Sequence, residues 1–294
     1  MDDATPPAPV LDVETAPFRL RRPAAPAATA LICASPHSGR IYPAAMMAAS
    51  QLDRRTIRRS EDAHVDELIA AAPSFGHTLI AAEFARAYID VNREPWELDP
   101  AMFEDELPAF AKARTARVAA GLGAIARIVC EGQEIYARKL AFAEAEDRVR
   151  SVHAPYHAAL TSLIAETKAR CGHALLVDWH SMPAAAAWGR AGEGCDFVLG
   201  DRFGAACAPA VTGFVERELT RLGYRVARNA PYAGGYTTEH YGRPGRKVHA
   251  LQIEINRALY FDERELALTD GFPALKRCLE VLFEAVAEQD WSGL

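Results

Sequence analysis

The clearest indication of the fold in this sequence is the stretch Ala174-Leu175-Leu176-Val177-Asp178-Trp179-His180-Ser181. A short apolar run that ends at polar residues is typical of a buried strand. A second such run, residues 28–34, leads into Ser35-Pro36-His37-Ser38-Gly39. Each run places a histidine at the carboxyl end of a strand, where open α/β sheets have their ligand sites. The two imidazoles indicate a metal held by distant parts of the chain.

Other segments complete an alternation of strands and helices. Further strands are predicted at residues 77–82, 87–91, 196–199, 224–227 and 248–255. Helices are predicted after Ser60-Glu61-Asp62 and at residues 107–122, 125–169 with a break at Pro155, 208–222 and 272–289. This alternation predicts an α/β fold. With no repeat or linker in view, we expect one domain over residues 28–294 and an N-terminal arm over residues 1–27.

The composition excludes several classes of protein. The 294-residue chain is 50% hydrophobic, enough for a substantial core, and its net charge of −6 argues against non-specific nucleic-acid binding. No apolar stretch approaches the roughly 18 residues of a membrane span. The six cysteines are dispersed without a Cys-x-x-Cys pair, which is typical of reduced thiols. Because residues 1–26 also lack the pattern of a signal peptide, we expect a cytoplasmic location.

Two histidines need an oxygen ligand to complete a hydrolytic zinc site with an open position for water. Our first choice is Asp62, at the start of the first helix, with Glu61 and Asp66 as alternatives. Each of these acids could instead be a helix N-terminal residue favoured by the helix dipole. Asp178 lies two residues before His180 on the same face of its strand, and we expect it to fix the tautomer of that imidazole.

An acid in an apolar strand is the candidate general base. Glu254 shares one face of the strand with Gln252 and Asn256. Buried carboxylates seldom lack a partner or a task, so Glu254 could deprotonate a metal-bound water and return the proton to a leaving amine. The alternative is a structural ion pair with Arg257.

Two arginines and one loop are the candidate substrate contacts. Arg93 presents a fork that matches a carboxylate, and Arg86 could stabilise an oxyanion, although either could be a structural ion pair. The glycine-hinged loop 232–242 is crowded with polar side chains and could close over a bound molecule. Within it we expect Tyr236 and Thr237 to contact the substrate.

Six stretches in this order resemble the N-formylglutamate amidohydrolase family, a branch of the zinc carboxypeptidase-like fold that includes aspartoacylase. They are Ser35-Pro36-His37-Ser38-Gly39, Glu61-Asp62-Ala63-His64-Val65-Asp66, residues 86–93, Asp178-Trp179-His180-Ser181, Gly234-Gly235-Tyr236-Thr237 and residues 249–260. The resemblance implies a mixed, mostly parallel sheet flanked by helices, a zinc or other divalent ion, and hydrolysis of an N-acyl acidic amino acid in histidine degradation. It also implies that His37 and His180 are ligands, that Glu254 is the acid/base, and that Asn92 and Arg93 bind the substrate carboxylate.

The resemblance leaves several points open. The His-x-x-Glu pair of carboxypeptidases is absent, so the oxygen ligand is not assigned by it. The alternatives are a carboxypeptidase-like or cell-wall amidase activity on a larger substrate, and a non-catalytic metal-binding relative. A serine nucleophile at Ser38 or Ser181 is disfavoured, because neither lies in a Gly-x-Ser-x-Gly elbow. The expected partner is a small N-acyl amino acid, with a homo-oligomer as a further possibility.

Overall fold

A mixed sheet organises the computed structural model, which describes residues 16–24, 28–129, 132–187 and 194–294. Over these residues the sheet has seven strands in the order β1-β3-β2-β4-β7-β5-β6. Their bounds are β1 Phe18–Arg21, β2 Leu31–Ser35, β3 Thr78–Ala82, β4 Ala174–Met182, β5 Phe197–Gly200, β6 Val226–Arg228 and β7 Val248–Asn256. The predicted α/β fold with a mixed, mostly parallel sheet is confirmed.

The centre of the sheet is parallel and its flanks are mixed. β3, β2, β4 and β7 run parallel to one another, whereas β1 and β5 are antiparallel to β3 and β7. β4 and β7 pair along nine residues each, in a register that sets His180 opposite Glu254. The carboxyl ends of β2, β4 and β7 therefore meet at one edge, where the two predicted histidines lie.

Helices cover both faces of the sheet. Their bounds are α1 Ala44–Ala49, α2 Arg54–Ile57, α3 Val65–Leu68, α4 Ala116–Ala119, α5 Phe142–Arg148, α6 Ala154–Cys171, α7 Pro209–Arg221, α8 Tyr236–Tyr241 and α9 Gly271–Glu288. A two-stranded hairpin, β8 Phe261–Asp262 with β9 Ala267–Leu268, precedes α9. The long α6 ends at Gly172, which adopts the left-handed conformation that suits glycine at a helix end. None of the helices in the described part of the chain is both long and apolar enough to cross a bilayer.

Strand alternation divides the core into two layers. Val177 and Trp179 of β4 face the layer that contains the apolar residues of α3, α7 and α9. Leu176 faces the other layer, which includes the apolar side of α6. Side chains two residues apart share a face, so Asp178 and His180 lie on the same side of the sheet as Leu176.

The predicted strand at residues 87–91 is wrong. The segment forms a turn in which the amides of Tyr88 and Ile89 both donate to the Ala85 carbonyl, at 2.8 and 3.3 Å. β3 pairs with β2 on one side and with β1 on the other, so it has no edge left for a further strand. The sequence analysis placed the residues of β1 in an arm. The β-propensity of this segment is satisfied by burial beneath α6 rather than by pairing.

The predicted helices at residues 107–122 and 125–169 are mostly wrong before residue 142. In the first only α4 is α-helical, and residues 125–129 and 132–140 form turns and isolated bridges. Glycine explains part of this difference: Gly121, within the first predicted helix, adopts the left-handed conformation (φ 77°) just past the end of α4. Around Pro155 the chain stays helical, because a π-helical stretch at residues 149–153 precedes it and the proline takes the first turn of α6.

The remaining predicted elements are found with shifts of a few residues at their ends. The helix predicted after Asp62 is only the short α3. Residues 1–15 and 25–27 of the predicted arm, and Cys130 and Glu131 of the predicted second helix, lie outside the described residues.

Candidate active site

Three buried donor atoms converge at the carboxyl edge of the sheet. His180 Nδ1 lies 3.1 Å from His37 Nδ1 and 3.0 Å from Asp62 Oδ2, and His37 Nδ1 lies 3.3 Å from the same oxygen. Zinc binds such atoms at about 2.0–2.1 Å, which places tetrahedral ligands about 3.3 Å apart. The three residues are at most 3% exposed. They could hold a metal ion.

Asp62 reaches this position because its loop is attached to the end of β2. The Asp62 amide donates to the His37 carbonyl at 3.0 Å, just before α3 begins. The two alternative acids lie elsewhere: Glu61 accepts from Tyr42 and Arg58, and Asp66 pairs with Arg19 and Arg40. Of the three acids proposed from the sequence, the structure brings Asp62 to the histidines.

Each imidazole is held from behind by a carboxylate. His37 Nε2 lies 2.7 Å from Asp90 Oδ1, and His180 Nε2 lies 2.9 Å from Asp178 Oδ2. A proton on each Nε2 leaves both Nδ1 lone pairs facing the shared point, as a metal requires. The sequence analysis assigned this task to Asp178 but gave Asp90 none. Its signal was available in Asp90-Val91-Asn92-Arg93, directly after a buried segment.

Asn92 orients Asp90 and Asp178, the two carboxylates that hold the imidazoles. Its Nδ2 donates to Asp178 Oδ2 at 3.1 Å, and its Oδ1 accepts from the Thr237 amide at 2.7 Å. Its own backbone amide donates to Asp90 Oδ1 at 2.8 Å. The amide group expected to contact a substrate is therefore bonded within the protein and orients its neighbours.

The electrostatics of the site favour a cation. Burial by itself would raise the pKa of Asp62, but hydrogen bonds from His180 and His37 hold it well below its usual range. The charges of His37, Arg86 and Arg93 likewise overcome burial and lower the pKa of Asp90. These carboxylates remain ionised in a buried setting, so they supply negative charge around the three donor atoms.

Glu254 stands opposite His180 in the sheet and faces the same cavity. Burial raises its pKa to about 7, against the opposing charges of His180 and two arginines. Gln252 Nε2 donates to Glu254 Oε1 at 2.7 Å. The alternative partner, Arg257, instead donates to Asp62 Oδ1 at 3.1 Å and bonds Ser181 and Glu263. Glu254 can therefore hold or release a proton near neutral pH.

Three arginines reach the site in different ways. Arg86 donates to Asp90 Oδ2 at 2.8 Å. Arg93 donates to the carbonyls of Leu122 and Asn92 at 3.0 and 2.9 Å. Arg257 contacts the proposed ligand Asp62 directly, although the sequence analysis weighed it only as a partner of Glu254. Its position immediately after β7, on the strand that carries Glu254, is the signal that was missed.

These groups line one cavity of about 630 Å³. His37, Asp62 and His180 lie along it with Glu254, Arg86, Asn92 and Arg93. Tyr236 and Thr237 are not among its lining residues: Tyr236 stacks on His240, and Thr237 is fully buried. From the same loop, Tyr232 lines the cavity instead.

The serine alternative finds no support in the geometry. Ser38 Oγ lies 2.7 Å from Ser35 Oγ, and Ser181 Oγ bonds Asp62 and Arg257. Among the described residues neither hydroxyl is hydrogen-bonded to a histidine that could activate it. Both serines therefore have structural partners.

The carboxyl edge of this parallel sheet thus carries a titratable acid beside a potential metal site, which defines an α/β hydrolytic enzyme as the class of protein. Residues 29–261 match the family model described as N-formylglutamate amidohydrolase. The chain belongs to that family and is an amidohydrolase, as its motifs predicted.

Curated relatives and solved structures agree with this assignment. The chain is 31% identical over 239 residues to an N-formylglutamate deformylase of Pseudomonas aeruginosa, covering 80% of this chain and 83% of that one. A crystal structure of N-formylglutamate amidohydrolase from Ralstonia eutropha superposes with a TM-score of 0.88 at 40% identity, covering 95% and 100% of the two chains. A gene product of Agrobacterium tumefaciens shares the fold, with a TM-score of 0.64 at 18% identity, covering 93% and 96%.

Proposed function

We propose that this chain hydrolyses the formyl amide of N-formylglutamate at a zinc ion held by His37, Asp62 and His180. The observation that carries the proposal is the convergence of three buried donor atoms within 3.3 Å, on a cavity that also contains Glu254. The name of the deformylase relative from Pseudomonas aeruginosa supports the substrate. The mixed nitrogen and oxygen donor set supports zinc over magnesium or calcium, which prefer oxygen alone.

The protein atoms around the donors fit a metal. Asp62 Oδ1 accepts from Arg257 and Ser181, which leaves Oδ2 for the ion. Asp90 and Asp178 keep the Nε2 protons of the two histidines and aim both Nδ1 atoms inward. When bound, zinc at such a site lowers the pKa of a water molecule and polarises a carbonyl.

Glu254 carries the proton transfers of this proposal. It takes a proton from the attacking water while the water oxygen bonds to the formyl carbon. It then gives the proton to the amide nitrogen as the carbon–nitrogen bond breaks, which releases formate and glutamate. Arg86 and Arg93 line the same cavity. In this proposal Arg86 stabilises the oxyanion and Arg93 binds a substrate carboxylate.

We also place this reaction in the cytoplasm and in histidine degradation. The dispersed cysteines support the compartment, because in the described part of the chain each of them is free. The resemblance to the family supports the pathway.

The test measures zinc content and formate release together. We expect about one zinc per chain and turnover of N-formylglutamate in the wild type. Glu254→Gln keeps the side-chain volume and the zinc but removes the base, so we expect kcat to fall by about 10²–10⁴-fold. Glu166→Gln, at a half-exposed position on α6, is the matched control and should retain full activity.

Other outcomes contradict particular parts of the proposal. Wild-type turnover by Glu254→Gln would exclude the assigned base. Zinc without formate release would indicate a binding protein or a larger substrate, which N-acetyl, N-succinyl and peptide substrates would separate. A protein that binds no zinc yet turns over would exclude the metal centre.

A further inference from the structure

The cavity is lined by a further arginine, Arg117, that the proposed chemistry does not use. Arg117, in the short helix α4, lines the cavity together with Arg93 and the apolar residues Leu122, Ala126 and Ile128. It belongs to the connection between β3 and β4 rather than to the sheet itself. Its role therefore requires an explanation separate from the metal centre.

Arg117 is held loosely by an acid beneath it. Its NH1 lies 3.6 Å from Glu97 Oε2, beyond hydrogen-bond distance, and its side chain is 33% exposed. The other Glu97 oxygen accepts from Thr115, whereas Oε2 is buried without a hydrogen-bond partner among the described residues. The pair keeps the guanidinium at the wall while leaving its donors available to a ligand.

The arginines of the cavity fall into an inner and an outer group. Arg257 bonds Asp62, and Arg86 bonds Asp90, which itself bonds His37. Among the described residues Arg117 shows no such link to the metal site, since its acidic partner is Glu97. The inner arginines therefore serve the reacting end of a ligand, and Arg117 a group farther along it.

Arg117 lies close enough to Arg93 for the two positive charges to repel each other. Burial lowers the pKa of Arg93, and the neighbouring charges of Arg86 and Arg117 add to that effect against Asp90 and Glu97. A second anionic group on the substrate would relieve this repulsion. Because the surrounding wall is apolar, a charge-assisted hydrogen bond there is stronger than one in water.

We propose that Arg117 binds the side-chain carboxylate of the substrate and so selects N-acyl dicarboxylic amino acids over neutral ones. The inference rests on the proposed function, because it takes the amide to react at the inner end of the cavity. Glutamate fits this division, since two methylene groups separate its side-chain carboxylate from the α-carbon. Arg117 is then a specificity-determining residue rather than a part of the hydrolytic machinery.

The test compares N-formyl-L-glutamate with N-formyl-L-glutamine, which has nearly the same shape but lacks the side-chain charge. For Arg117→Gln we expect kcat/KM with formylglutamate to fall by about 30-fold, mostly through KM. With formylglutamine we expect kcat/KM to change by less than about 3-fold, because its side chain offers Arg117 no negative charge to bind. Arg117→Lys should restore part of the preference, because it retains the charge without the fork.

Arg114→Gln is the matched control, three residues away in the same segment, exposed and not among the residues that line the cavity. Equal losses on both substrates, or an unchanged preference in an active Arg117→Gln, would overturn the inference while the proposed function stands. Arg59 also lines the cavity. Loss of the preference in Arg59→Gln but not in Arg117→Gln would therefore also overturn the inference. If the wild type releases formate from neither substrate, the proposed function fails and this inference with it.

Discussion

Single residues behind the two imidazoles determine how well the three donor atoms converge. Asp90 and Asp178 each hold one imidazole, and Asn92 connects Asp178 to the start of α8. The site tolerates no bulk behind Asn92, because the Gly235 backbone lies directly against its amide group. At this scale the chemistry depends on residues that hold the donor side chains in place and do not themselves touch a reacting atom.

Gly235→Ala tests this dependence. A Cβ at this position would lie 2.6 Å from Asn92 Nδ2 and 2.8 Å from Oδ1, so the pinned amide must move away from Asp178. Loss of such an outer contact typically costs 10–100-fold in metal affinity or activity, and we expect a loss of about that size here. Zinc titration and formate release of the purified variant measure it.

Gly245→Ala is the control, since an added Cβ there meets nothing within 4 Å. We expect it to match the wild type in both assays. A Gly235→Ala enzyme with unchanged zinc affinity and turnover would show that Asn92 does not orient the site.

Among the elements, the sequence predicted the strands well and the connections poorly. The apolar runs of β2, β4 and β7 are buried at every position, so their composition alone identified them. The turn at residues 85–91 is as apolar as these strands, yet tertiary contacts hold it in place. His157 of α6 bonds the carbonyl of Val91, and His153, just before α6, bonds that of Arg93. No local pattern reports such partners, which is why the sequence predicted a strand at this position.

Propensity also failed where a segment builds its own small core. Residues 98–145 contribute a separate apolar cluster that includes Leu98, Phe103 and Leu140. Alanine-rich stretches within it look helical in isolation, but local packing overrides that weak preference. Arg117 comes from this segment, so its place in the cavity could not be predicted from the sequence.

A buried histidine between two elements gives the fold a predictable pH dependence. His77, just before β3, lies 2.9 Å from the Phe283 carbonyl of α9 and 2.7 Å from Thr29 Oγ1. Burial lowers its pKa from 6.5 to about 4, so the unfolded chain binds the proton first as the pH falls. The stabilisation is complete above pH 6.5 and is lost progressively towards pH 4.

His77→Gln removes this titration while keeping a donor for the Phe283 carbonyl. Between pH 7 and pH 5 the wild type should lose about 2 kcal/mol more unfolding free energy than the variant, as measured by urea denaturation. Parallel stability–pH curves for the two proteins would show that folding does not lower the pKa of His77.

At the scale of the whole molecule, the sheet order brings together residues that are far apart in sequence. His37 is separated from Asp62 by 25 positions and from His180 by 143. β2 and β4 are neighbours, and β7 places Glu254 beside them. A metal bound to these three side chains would therefore connect distant segments of the native chain, and the unfolded chain offers no such site.

Metal removal should accordingly destabilise the entire fold. A ligand present at 1,000 times its Kd stabilises the native state by about 4 kcal/mol, which corresponds to a Tm shift of about 7 °C for a chain of 294 residues. We expect a chelator to lower the wild-type Tm by about that amount and added zinc to restore it. Glu254→Gln should show the same shift, because it removes the proposed base and no ligand. His180→Asn should melt at one temperature with and without chelator, whereas a chelator-sensitive Tm in this variant would place the stabilising ion elsewhere in the chain.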